Sequence, residues 1–141
     1  MNKTNKFEDL RVWQEGMLLV IDMNKKLKDQ EKDGVIDQMQ QYAFAIPSVI
    51  AEGYARYSKR DFIMALHGAR ALCAKLIILL HKAQETNFIN SQYRTILTAK
   101  IEKISFMLHH LIRNYPEGKK FAVPSSSKIR HHQFAEEIKD A

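Results

Sequence analysis

The chain has 141 residues, enough for one domain with its own core, and 45% hydrophobic and 27% charged residues argue against wholesale disorder. Lysine and arginine exceed aspartate and glutamate by 22 to 16; the resulting +6 suits a polyanionic partner but does not specify a fold. A lone cysteine, Cys73, excludes an internal disulfide and a thiolate zinc cluster, and fits a reducing compartment.

Met1 to Lys6 lacks the apolar core of a secretory signal, and the longest strictly apolar run is Leu76 to Leu80. A cytoplasmic protein with no membrane partner is therefore expected. Four stretches then carry helical periodicity. The first is predicted over about residues 7–29, with Phe7, Leu10, Trp13, Met17, Val20, Ile21 and Leu27 on its apolar stripe. The charged run Asp29 to Asp33 and Gly34 end it. The second is predicted from about Val35 to Tyr54, on a stripe of Ile36, Met39, Ala43, Ile46, Ile50 and Gly53. Pro47 lies inside it, removes a backbone donor, and is expected to kink or divide it.

The third helix opens at Ser58-Lys59-Arg60-Asp61, a capping-box-like start with an acid in the positive first turn. Its stripe is Phe62, Leu66, Ala69, Cys73, Leu76, Leu80 and Ala83. Near Leu76, Ile77, Ile78 and Leu79 it is apolar on almost every side, which predicts a second covered surface, an oligomer interface. The fourth helix, capped by Asn90 or Ser91, carries Ile96 or Leu97, Ile101, Ile104, Leu108, Leu111 and Tyr115 and stops at Pro116 to Gly118. Four long helices with short links predict an all-α, antiparallel up-down-up-down bundle over residues 1–120. Residues 121–141 read as a flexible polar tail, a linker plus a short weak helix, whose net charge is zero. The whole +6 therefore belongs to the bundle.

No constellation in the sequence supports catalysis. Phosphate loops, the G-x-S-x-G elbow and H-E-x-x-H are absent. His109 and His110 are adjacent, so on a helix they point about 100° apart and cannot chelate one metal. Cys73 falls on an apolar stripe and reads as a small core residue. The expectation is a non-enzyme with no cofactor and no metal. Glu52 has two readings: an exposed carboxylate with Arg56 at i+4, or a half-buried one tying its helix to another element.

Ile46-Pro47-Ser48-Val49-Ile50-Ala51-Glu52-Gly53, followed by Arg56, Ser58 and Phe62, resembles the signature S-I-P-S-N-I-A-E-G-x-x-R-x-S-x-x-x-F. That signature marks the four-helix-bundle proteins encoded in 23S ribosomal RNA intervening sequences. The opening Phe7 to Gln14 is similar to the same family's F-x-D-L-x-V-W start, and the likeness extends over about residues 7–115. Val49, Ala45 and Gln41 stand where the family has Asn, Ser and Arg, and Lys75 and Ile77 where acidic residues are common. These departures suggest a rearranged polar network, with Glu52 meeting Lys75 in a charge-swapped pair. The resemblance implies a homopentamer of four-helix protomers. It also implies kinship to the accessory variability proteins of diversity-generating retroelements, which bind nucleic acid and a reverse transcriptase.

Two functions follow. One is nucleic-acid binding, RNA foremost, with Lys25, Lys26 and Lys28 ending the first helix and Arg56, Lys59 and Arg60 at the junction of the second and third. Tyr54 and Tyr57 flank the second cluster and are expected to stack on unpaired bases. A fivefold ring would carry about +30. The alternative is a protein–protein scaffold whose basic charge is incidental.

Overall fold

The computed structural model describes residues 6–30 and 34–115. The predicted stop at Pro116 to Gly118, the tail beyond residue 120 and the charged run at 31–33 lie outside the described residues. A 3-10 turn at Phe7–Asp9 leads into α1 (Arg11–Leu27), α2 (Gly34–Tyr54), α3 (Lys59–Glu85) and α4 (Ser91–Asn114). Among the described residues there is no strand, so the all-α reading holds. Each helix packs along its sequence neighbours, most extensively α2 on α3, and α4 closes the square against α1. The diagonal pairs, α1 with α3 and α2 with α4, have no close backbone approach. This is an antiparallel four-helix bundle.

Two predicted caps form as read. The Ser58 hydroxyl accepts from the Asp61 amide at 3.2 Å, and the Asn90 side chain accepts from the Tyr93 amide at 2.7 Å. The core stripes of α2 and α3 are also as predicted, converging on Met39, Ile46, Ile50, Phe62, Leu66 and Leu76; that of α4 is Leu97, not Ile96, with Ile101, Ile104 and Leu108, while Leu111 and Tyr115 are half-buried.

The first helix differs. Phe7 to Asp9 form a separate turn whose Phe7 ring meets Trp13 edge-on, and Leu10 is extended before α1 starts at Arg11. Its buried face is Val12, Gly16, Leu19, Val20, Met23 and Leu27, whereas Ile21 is exposed. Five consecutive apolar residues, Met17 to Ile21, fit more than one phase, and contact with α2 selects this one.

Pro47 does not divide α2, which runs unbroken from Gly34 to Tyr54. The proline ring is buried against α1, where Gly16 has no side chain to obstruct it. The residue after the proline, Ser48, donates its Oγ hydroxyl to the Phe44 carbonyl at 2.8 Å. Gly53 serves the other side of the same helix. A methyl there would overlap Ala65 of α3, so only glycine permits the α2–α3 approach at this level. The 27 residues of α3 are long and apolar enough to cross a membrane by length and composition, although Arg70, Lys75 and Lys82 punctuate them. Its buried stripe from Phe62 to Ala83 touches both α2 and α4 and makes it the most connected helix of the bundle.

Candidate nucleic-acid interface

Antiparallel topology sorts the basic residues by bundle end. Lys25, Lys26 and Lys28 lie at the end of α1 that meets the starts of α2 and α4, and Lys26 Nζ sits 5.7 Å from the Tyr93 ring centroid. Lysines in a last helical turn complement the negative pole of the helix dipole. Arg56, Lys59 and Arg60 lie at the opposite end, about 30 Å away along α2. The two predicted clusters are therefore separate surfaces.

The α2–α3 end is the richer one. Arg56 and Arg60 are exposed and have no ion-pair partner among the described residues. Lys59 and Tyr57 are half-buried, and Tyr57 takes a left-handed conformation (φ 55°) that turns the chain from α2 into α3. Topology brings Lys6, Arg11 and Arg113 to the same end, all exposed and none singled out from sequence. The up-down-up-down order alone would have found them, because it returns the start of α1 and the end of α4 to this junction.

Tyr54 is corrected. It is only 8% exposed, its ring meets Phe62 edge-on with centroids 5.3 Å apart, and burial raises its hydroxyl pKa. A ring fixed in that way has no face to offer a base. Tyr115 completes the aromatic cluster from α4, with its centroid 5.4 Å from that of Phe62.

The Glu52–Lys75 pair is also corrected. Opposed directions put Gly53 beside Ala65 and Tyr42 beside Lys75, whose ammonium lies 5.5 Å from the Tyr42 ring centroid. Glu52 is ten residues further along α2, about 15 Å away, and exposed. Of the four interface residues, Leu76 belongs to the chain's own core, fully buried. Ile77 and Leu79 are half-buried on the flanks of α3, and Ile78 is 66% exposed.

The histidines divide as the 100° geometry requires. Nδ1 of His109 faces Arg70 of α3 at 3.3 Å, and that of His110 faces Asn114 at 3.2 Å. Among the described residues no three of His, Cys, Asp and Glu converge on a common point. Burial pushes the Cys73 thiol up to about 12, so at neutral pH it is a protonated core group.

No curated protein matches the sequence at a significant level. A structure of a protein of unknown function from the S23 ribosomal protein family of Bacteroides thetaiotaomicron VPI-5482 superposes with a TM-score of 0.67 at 17% identity. The match covers 73% of this chain and 99% of that one and shows a shared fold. The family model for 23S rRNA-intervening sequence proteins matches residues 8–110, and the chain belongs to that family.

Proposed function

We propose that the protein is a non-enzymatic homo-oligomer that binds RNA through the α2–α3 end of each protomer. The observation that carries this reading is the placement of Lys59 and Arg60 in the first turn of α3, beside Arg56. A helix N-terminus favours anions, so cations there work against the dipole, whereas the same amides and cations together attract phosphate. Local charge alone is modest. Lys6, Arg11, Arg56, Lys59, Arg60 and Arg113 face Glu8, Asp9, Glu52 and Asp61 at this end, a small positive surplus per chain. Repetition amplifies it: a pentamer, the stoichiometry implied by the family likeness, presents five such ends to one polyanion. Tyr57 is the aromatic residue left for stacking. Lys25, Lys26 and Lys28 complement their own helix instead.

A mobility-shift titration with a structured RNA tests the proposal. Between roughly 50 and 200 mM salt, six or more phosphate contacts cost about a thousandfold in affinity. The Arg56→Ala/Arg60→Ala variant is expected to bind more weakly and with a shallower salt slope, while Lys25→Ala/Lys26→Ala/Lys28→Ala keeps most of the binding. Equal loss in both variants would move the site, and no shift even at low salt would leave the scaffold reading. That second reading draws on the exposed apolar side chains Leu18, Phe44, Met64, Ile78 and Phe106.

A further inference from the structure

The two helices that bury most against each other carry opposite charge on their outer sides. α2 holds no lysine or arginine, and its ionisable carboxylates are Asp37 and Glu52, both exposed. On α3 the exposed ionisable groups from Arg60 to Lys82 are all basic, Arg60, His67, Lys75, His81 and Lys82, and the one exposed acid of the helix, Glu85, is its last residue. Each helix also shows apolar side chains between those charges. On α2 it is Phe44, 55% exposed, at the rim of an open groove of about 610 Å³ shared with Met17 and Ile21 of α1. On α3 it is the seven-residue series Met64, Ala71, Ile78, with Met64 61% exposed and the small residues Gly68 and Ala74 alongside.

The levels of these groups agree. Gly53 beside Ala65 and Tyr42 beside Lys75 fix the antiparallel register. Each step along α2 is one step back along α3, so Phe44 comes level with Ala74, between Ala71 and Ile78. By the same register Asp37 comes level with His81, beside Lys82, and Glu52 with Leu66, beside His67. A neighbour related by rotation about an axis parallel to the bundle presents its α3 at the same height. The Phe44 ring then meets the small-residue stretch of that α3, and each acid meets a base.

We propose that the α1–α2 groove of one copy docks on the outer face of α3 of the next, a heterologous contact between two different surfaces. It rests on the homo-oligomeric half of the reading above and assigns that assembly its two faces. An isologous dimer would place Phe44 against Phe44, with acid opposite acid, or α3 against α3, with base opposite base.

Light scattering on the full chain without nucleic acid tests this separately from RNA binding. Phe44→Glu and Ala71→Glu each blunt one face, and both side chains are exposed, so far-UV circular dichroism should match wild type. Each variant alone is expected to run as a monomer. Mixed, they should form a one-to-one pair of twice the 16.4 kDa chain mass, because each retains the face the other has lost. Either variant keeping the wild-type size, a mixture that stays monomeric, or a monomeric wild type overturns the proposal. A charge exchange supplies a second reading: Asp37→Lys and Lys82→Glu each weaken the assembly, and the double variant restores it. A double variant no better than the singles overturns the proposed Asp37–Lys82 pairing.

Discussion

Tyr93 shows how a single polar atom is placed at a cost. Its ring packs against the core at the start of α4 under Lys26, but its hydroxyl is buried without a hydrogen-bond partner among the described residues. Burial pushes its pKa up to about 12. An unsatisfied buried hydroxyl costs about 1–3 kcal/mol, so Tyr93→Phe is expected to keep or raise stability, read as an unchanged or higher urea midpoint. A clear loss of stability would reveal a partner for that hydroxyl. Legibility at this scale was uneven. Tyr54 and Tyr57 are three residues apart and looked alike in sequence, yet one closes the aromatic cluster with Phe62 and Tyr115 while the other turns the chain. Periodicity places residues on a face; which of two neighbouring tyrosines reaches the core depends on where α2 ends.

Among the elements, α2 and α3 set the tightest spacing. Adding a methyl at Gly53 forces it into Ala65, so Gly53→Ala should destabilise by about 1–3 kcal/mol, the usual cost of overpacking. Gly68, on the outer side of α3, has only Val49 at 3.8 Å from such a methyl. Gly68→Ala is therefore expected to stabilise by about 0.5–1 kcal/mol through helix propensity, and thermal melts of both variants compare the two directly. Helices 2 to 4 were readable because their apolar stripes keep one phase, and the starts of α3 and α4 carry Ser58 and Asn90. The entry to α1 was not. Leu10, its N-cap, makes no side-chain cap, and neither glycine nor proline marks the break after Asp9. The Glu52–Lys75 pairing failed for a different reason: departures from the family pattern suggested partners, but only the register of two opposed helices decides who meets whom.

At the scale of the molecule, the titrating groups among the described residues that depart from their ordinary values shift in the same direction. Cys73 and Tyr93 are each pushed up to about 12, and Tyr54 and Tyr115 are also raised, in every case chiefly by burial. The unfolded chain therefore ionises first on the alkaline side. The stability these groups contribute is complete below about pH 8, a unit under the ordinary thiol value of 9.0, and is lost progressively as pH rises towards 12. Urea midpoints should hold near neutrality and fall steadily above about pH 8, less steeply in Cys73→Ala than in wild type. A flat alkaline limb would contradict the burial of these groups. The bundle topology was legible in sequence, and with it the end at which Arg56 and Arg60 lie. The separation of the lysines of α1 from those arginines was implied by that same topology and had to be followed through to be seen.

Cys73 also bears on kinetics. It is the one thiol in the chain, fully enclosed near the middle of the longest helix, with twelve residues or more of α3 on either side. Fraying at the ends of the bundle leaves it covered. A thiol-specific reagent can reach it only when α3 parts from its neighbours at mid-height, so the labelling rate measures how often the closed bundle opens.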